Sequence, residues 1–466
     1  MASLKDPGAI LLVSCYELGH QPLAVASPAA VLRRAGYAPA ALDLARQTVD
    51  AAAVRRARLI AISVPMHTAL RLGVMAAERL RVLNPDARLA FYGLYATLNA
   101  KSLLAAGAAA VIGGECEEPL LRLAEALEHG HEGPIPGVRT TGHPAGPWIA
   151  RVGFEVPARD LLPPLDGYVR LMAGDERRVT GQVEASRGCL HLCRHCPIPP
   201  VYGGRFFVVP REIVLEDVAR QVADGARHIT FGDPDFLNGP GHSLAIAGAL
   251  HERFPDVTFD FTAKIEHLIQ HRERLADLAG LGCLFIVTAA ESLSDRVLTI
   301  LAKGHTRAGI ETALDLARAA GIALRPTWVP FTPWSTIESY LELIGFIERL
   351  DLVEAVDPVQ MSIRLLVPPG SLLERHEAFL PHRGPLDSRR FTWTWRHPDP
   401  RMDRLQAEVA ALVESAVGGD LDARATFWRV GVAARRAAGA PIASAPPPPA
   451  ALAKGRPPRL TEPWFC

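Results

Sequence analysis

The stretch Ser186–Arg187–Gly188–Cys189–Leu190–His191–Leu192–Cys193–Arg194–His195–Cys196–Pro197 decides how the rest of the chain is read. Three of the seven cysteines fall inside it at a C-x3-C-x2-C spacing, while Cys15, Cys116, Cys283 and Cys466 are scattered. Clustered thiols in a cysteine-poor chain point to a soft-metal site. Zinc ordinarily takes four protein ligands, and without a second cysteine pair it would need His191 or His195 to complete its shell. A four-iron cluster suits three thiolates better, because one iron is then left open to a substrate or cofactor. Iron–sulfur cluster, zinc and incidental thiols all remain as readings of the spacing alone.

A chain of 466 residues is long enough for two or three domains. Its 50 basic residues are balanced by 50 acidic ones, which argues against a strongly basic nucleic-acid surface, so no nucleic-acid partner is expected. No apolar run reaches the roughly 18–20 residues of a membrane span. The first residues, Met1-Ala2-Ser3-Leu4-Lys5-Asp6, lack the pattern of an export leader, and clustered reduced thiols suit a cytoplasmic protein that avoids the membrane.

Short apolar runs at 9–15, 59–64, 89–92 and 110–112 alternate with helical patterns at 28–35, 70–83, 100–106 and 118–128. Such alternation predicts an N-terminal doubly wound, Rossmann-like α/β domain over 1–132, without the G-x-G-x-x-G fingerprint. Residues 133–180 are rich in Pro and Gly and read as a linker. Over 181–371 six strand candidates (182–187, 228–232, 257–262, 283–289, 323–329 and 357–367) alternate with helical patterns. This predicts a partial (βα)6 barrel, short of the eight units of a closed one. Residues 372–435, with Trp393 and Trp395, read as a helical extension, and 436–466 as a Pro-rich mobile tail.

Active sites of parallel barrels lie at the carboxyl ends of the strands. The polar residues follow that rule: the three cysteines, then Gly232-Asp233-Pro234-Asp235, then Lys264, then Glu291-Ser292, then Arg364. Each also has a bland reading. Gly232–Asp235 has the composition of a turn with a helix cap. Lys264, one of five lysines, could be solvated or paired. Arg364 could pair with a carboxylate of the barrel, and Lys303-Gly304-His305-Thr306 reads as a helix end closed by glycine.

On these residues the chain resembles the radical S-adenosylmethionine (radical SAM) superfamily. The resemblance implies that Cys189, Cys193 and Cys196 hold a [4Fe–4S] cluster whose open iron chelates SAM. It further implies that Gly232, Asp233, Pro234 and Asp235 receive the SAM ammonium, that Glu291 and Ser292 contact its ribose, and that Lys264 and Arg364 complete the SAM site. His195 departs from the aromatic residue often found before the third cysteine. The first domain resembles the cobalamin-binding-like domain that precedes many such barrels, through Gly19–Leu23, Tyr92–Thr97 and Gly113–Pro119. Its D-x-H-x-x-G motif is missing, so cobalamin is expected either without a protein imidazole or not at all.

The ending Thr461-Glu462-Pro463-Trp464-Phe465-Cys466 resembles that of the CUAEP/CCAEP-tail radical SAM (seleno)proteins. It departs by stopping at the first cysteine, as expected if a UGA selenocysteine codon were read as a stop. Cys466 would then be a catalytic redox thiol. The implied function is reductive cleavage of SAM that starts radical chemistry on a small-molecule or peptide substrate. An electron donor such as flavodoxin or ferredoxin is then required. Cobalamin-dependent methylation is a close variant, and a zinc or iron–sulfur regulatory protein without turnover is the rival.

Overall fold

The computed structural model describes residues 3–150, 153–418, 422–441 and 456–462. Its first sheet is built from β1 (Ile10–Ser14), β2 (Ala40–Asp43), β3 (Leu59–Ser63), β4 (Arg88–Tyr92), β5 (Ala110–Ile112) and β6 (Val138–Arg139). They lie in the order β2-β1-β3-β4-β5-β6, all parallel except the antiparallel β6. Both faces are covered, which is why these strands read as continuous apolar runs. Ile10, Leu12, Leu59, Ala61 and Tyr92 enter one core, while Leu11, Val13, Ile60, Ile62 and Phe91 enter the other. The doubly wound expectation holds.

Beyond it come β7 (Arg170–Ala173), β8 (Glu176–Val183) and a small antiparallel hairpin of β9 (Ser186–Gly188) and β10 (Phe206–Val208). The barrel strands β11 (His228–Phe231), β12 (Thr258–Thr262), β13 (Cys283–Glu291) and β14 (Ala323–Trp328) follow, then a hairpin of β15 (Arg383–Asp387) and β16 (Thr392–Trp395). Last is β17 (Arg459–Leu460). The second sheet runs β14-β13-β12-β11-β8-β7-β17, with β8 and β11 to β14 parallel and β7 and β17 antiparallel. One face carries Ile229, Phe231, Phe259, Phe261 and Ile286 into the main core. The alternation of side chains turns Gln182, Thr230, Asp260, Glu291 and Arg325 to the other face, the lumen of a half-barrel.

Four expectations are corrected. The sixth barrel strand is not a strand: 357–367 begins with a 3-10 turn at Pro358–Ser362 and contributes one parallel bridge, Phe331 to Arg364. Proline at the start of that segment has no N–H for a ladder. The linker at 133–180 is not free of regular structure, since it holds β6, β7 and most of β8, with the tight β7–β8 turn at Gly174-Asp175. Trp393 and Trp395 sit on β16 rather than on a helix, although helices do fill Pro400–Gly418 and Ala423–Ala438. The tail expected to be mobile includes β17, which pairs Arg459 with Met172 and Leu460 with Leu171.

Candidate active site at the cysteine loop

The β9–β10 hairpin pairs Gly188 with Phe206 and closes the base of a loop that holds all three cysteines. Gly188 has φ +80°, and a Cβ there would meet the Arg205 carbonyl and the Tyr202 ring, so only glycine allows this closure. Cys189 N–H donates to the Arg205 carbonyl at 3.1 Å and Cys196 N–H to the Cys193 carbonyl at 3.2 Å. Cys189 and Cys193 are buried, Cys196 is half-buried, and all three are free thiols. Burial pushes the Cys189 thiol up and the Cys196 thiol up to about 12. Three free thiols gathered on one loop are a donor set that fits an iron–sulfur cluster with one iron left open.

Glu291 ends β13 in the left-handed region, at φ +65°. Its carboxylate accepts from Lys303 Nζ at 3.2 Å and lies 3.2 Å from His195 Nε2, inside the cysteine loop. Burial opposes its charge, yet Lys303 and His195 hold its carboxyl well below the usual range. Lys303 itself is 4% exposed. Sequence reasoning read Lys303 as part of a helix end and missed this partner. The scarcity of lysine was the signal available. Ser292 turns instead to the next helix, its Oγ accepting from Ser294 N–H.

After β11, Asp233 accepts from Ala185 N–H at 2.9 Å and from Ser186 Oγ at 2.6 Å, tying β8 to β9. Burial pushes its carboxyl up to about 7. Gly232 N–H donates to Val183, Pro234 is half-buried, and Asp235 caps a turn through Leu237 N–H. Lys264 Nζ stands 2.9 Å from His191 Nδ1 and donates to Glu266 at 3.1 Å. Thus Asp235, Lys264 and Glu291 all gather at the cysteine loop, from three different strand ends. Arg364 does not join them. Its guanidinium holds Asp403 at 2.7 Å and the Trp395 carbonyl at 2.8 Å and lies 3.5 Å over the Trp395 ring. Cys466 lies outside the described residues.

The first domain reaches this loop through Arg187. Its guanidinium donates to Glu117 at 2.6 Å, Glu115 at 3.1 Å, Glu184 at 2.8 Å and Ser27 Oγ at 3.1 Å. Tyr202 OH donates to Glu115 as well, at 2.8 Å. Gly113–Glu117, at the carboxyl end of β5, is therefore fastened to the residue next to the cysteine hairpin.

Residues 183–344 match the Radical SAM superfamily. Among the chain's relatives is a protein named "Uncharacterized methyltransferase PH0819" of Pyrococcus horikoshii, 25% identical over 276 residues, 57% of either chain. A Geobacter sulfurreducens protein named tRNA-2-methylthio-N(6)-dimethylallyladenosine synthase is 28% identical over 190 residues, 38% of this chain and 42% of its own. The chain thus spans about half the length of the relatives it matches. The likeness in fold extends further. A structure titled as the cobalamin-dependent SAM radical enzyme OxsB with aqua-cobalamin superposes with TM-score 0.68 at 16% identity, over 88% of this chain and 67% of that one. The methyltransferase TsrM of Kitasatospora setae, with cobalamin and a [4Fe–4S] cluster, gives TM-score 0.64 at 17% identity, over 91% and 89%.

The radical SAM match over residues 183–344, together with relatives named as methyltransferases and methylthiotransferases, indicates an enzyme. A [4Fe–4S] cluster and SAM are the cofactors of that superfamily. A relative named for tRNA modification sits uneasily with the expectation of no nucleic-acid partner. No helix among the described residues is long and apolar enough to cross a membrane.

Proposed function

We propose that the chain binds its cluster through Cys189, Cys193 and Cys196, leaves one iron to SAM, and starts radical chemistry on a small-molecule or peptide substrate. The observation that carries this reading is the buried three-thiol loop, with Glu291, Lys303 and His195 locked beside it. When bound, the reduced cluster and SAM supply a 5′-deoxyadenosyl radical; this chain's residues orient the cofactors and exclude water. The backbone of Gly232–Asp235 offers carbonyls to the SAM ammonium, and Glu291, already ionised, can accept from a ribose hydroxyl. Arg364, committed to Asp403 and Trp395, serves instead to anchor the wall of the lumen. An external one-electron donor such as flavodoxin or ferredoxin is required.

Anaerobic reconstitution with iron, sulfide, reductant and SAM tests the proposal. Wild type is expected to form 5′-deoxyadenosine, and Cys193→Ala to lose both iron and product. A cluster-loaded wild type that forms none overturns it.

A second reading, methyl transfer with cobalamin on the first domain, is favoured by the two-domain arrangement shared with OxsB and TsrM. The D-x-H-x-x-G motif that would supply an imidazole to cobalt is missing from the sequence. His20 is buried, and His67 Nε2 is engaged with the Arg390 carbonyl at 2.7 Å. No step is routed through cobalamin. Cobalamin retained through anaerobic purification would support this reading, and its absence would leave hydrogen abstraction alone. The redox role of Cys466 rests on the resemblance of the final residues, and Cys466→Ser is expected to lower turnover without changing iron content.

A further inference from the structure

Three side chains meet beside the cysteine loop without any share in holding the cluster. Asp235 comes from the loop after β11, His267 from the helix Ile265–Gln270 after β12, and His191 from between the first two cysteines. Asp235 is fully buried, and the side chains of His267 and His191 are 10% and 18% exposed. Asp235 Oδ2 stands 2.8 Å from His267 Nδ1 and 3.8 Å from His191 Nε2. The two imidazoles approach to 3.2 Å between their Nε2 atoms. One donor atom from each residue lies within 4.8 Å of the other two.

The alignment of these atoms matters more than their closeness. Asp235 Oδ2 and His267 Nδ1 are at hydrogen-bond distance, yet neither is in hydrogen-bonding geometry with any partner. Buried polar atoms are nearly always paired. Two such atoms left unpaired side by side, with a third donor within 4.8 Å, are the arrangement a bound cation would satisfy. His191 supplies that third donor from the open side.

We propose that His191, Asp235 and His267 form a mononuclear site for a first-row divalent transition metal such as zinc, iron(II) or cobalt(II), separate from the cluster. Two neutral imidazoles and one carboxylate are the donor set such ions take, and three protein ligands leave positions open to water or substrate. Lys264 is the opposing charge. Its ammonium contacts His191 Nδ1, but Glu266 is a second partner within reach and keeps it satisfied when that nitrogen carries a proton. The metal would stand on the lumen side of the cysteine loop, where it can orient an oxygen or nitrogen ligand of the substrate.

The test uses the full chain with its cluster loaded, so that the cysteines are occupied; failure to load concerns the proposed function and not this site. The protein is washed with a chelator, incubated anaerobically with zinc, desalted and analysed for zinc and iron. Wild type is expected to retain a single zinc per chain with its iron unchanged. His267→Gln and Asp235→Asn should each weaken zinc binding by at least the roughly tenfold that loss of a mere outer-shell partner costs. Lys264→Met, which removes the competing ammonium, should hold zinc at least as tightly as wild type. A wild type that retains no more zinc than His267→Gln overturns the site. So does zinc uptake matched by loss of iron, which would place the metal on the cysteines. Because the variants are judged at equal iron content, one that fails to fold is recognised by its iron, and Lys264→Met then decides.

Discussion

Glu291 shows how much one carboxylate can carry. It sits in a backbone conformation few side chains adopt, pairs with a buried lysine and touches a histidine of the cysteine loop. Replacing it with Gln leaves Lys303 charged and buried without a counter-ion, a loss of about 3–5 kcal/mol. Glu291→Gln is therefore expected to lower the denaturant midpoint and weaken SAM binding together; a variant with unchanged stability would disprove the pairing. Asp233 acts in the opposite sense. Burial lifts its carboxyl from 3.8 to about 7, so between those values the native chain holds a proton that the unfolded chain has released. Stability from this group therefore falls as pH rises across that window. Asp233→Asn should gain on wild type in unfolding free energy from pH ~4 to ~7 and hold a steady difference above it. A gap that moves the other way would refute the assignment. At this scale the cluster of three cysteines was legible, because its spacing is local. The meeting of His191, Asp235 and His267 was not, because it depends on three strand ends that are remote in sequence.

Among the elements, the carboxyl end of β5 is the tightest fit. A Cβ at Gly113 would collide with the Thr97 side chain. Gly113→Ala should destabilise the first domain by about 1–3 kcal/mol, the range for overpacking. Thr97→Ala in the same chain should restore only part of it, because the Thr97 Cβ that remains lies 2.6 Å from the added carbon, and additive losses in the double variant would show that the two do not touch. Legibility of elements followed the same division between local and distant causes. Four strands of the first sheet, β1, β3, β4 and β5, were readable because strands buried on both faces leave apolar runs. The helix Ile337–Arg349 opens on a capping box, Thr336 with Ser339, that only the structure shows, since serine stands where the sequence signature has Glu or Gln. The β7–β8 hairpin was readable at Gly174-Asp175 and was passed over for the proline content around it. The apolar residues near Met361 imitate a strand, and only the three-dimensional position of Pro358 shows why the ladder does not form.

For the whole molecule, Arg187 is where the two domains share a charge balance. Three carboxylates and a serine converge on it, and its side chain is only 16% exposed. Arg187→Met should cost about 3–5 kcal/mol by stranding those acids. It should also split a single calorimetric transition into two, one for each domain; a single shifted transition would show that other contacts couple them. Sequence gave no sign of this node, since Glu115 and Glu117 lie far from Arg187 along the chain. The pairing of β17 with β7 has a consequence in time. Translation delivers the half-barrel strands long before Arg459 and Leu460, yet those two residues cover its outer edge, and Glu462 beyond them bonds Tyr16 in the first domain at 2.8 Å. Until the ribosome has passed them, β7 offers an unpaired edge to any other nascent chain, which is the kind of exposure that seeds misassembly. Polysome-bound chains should therefore be more prone to aggregate, and slower to resist protease, than the released protein.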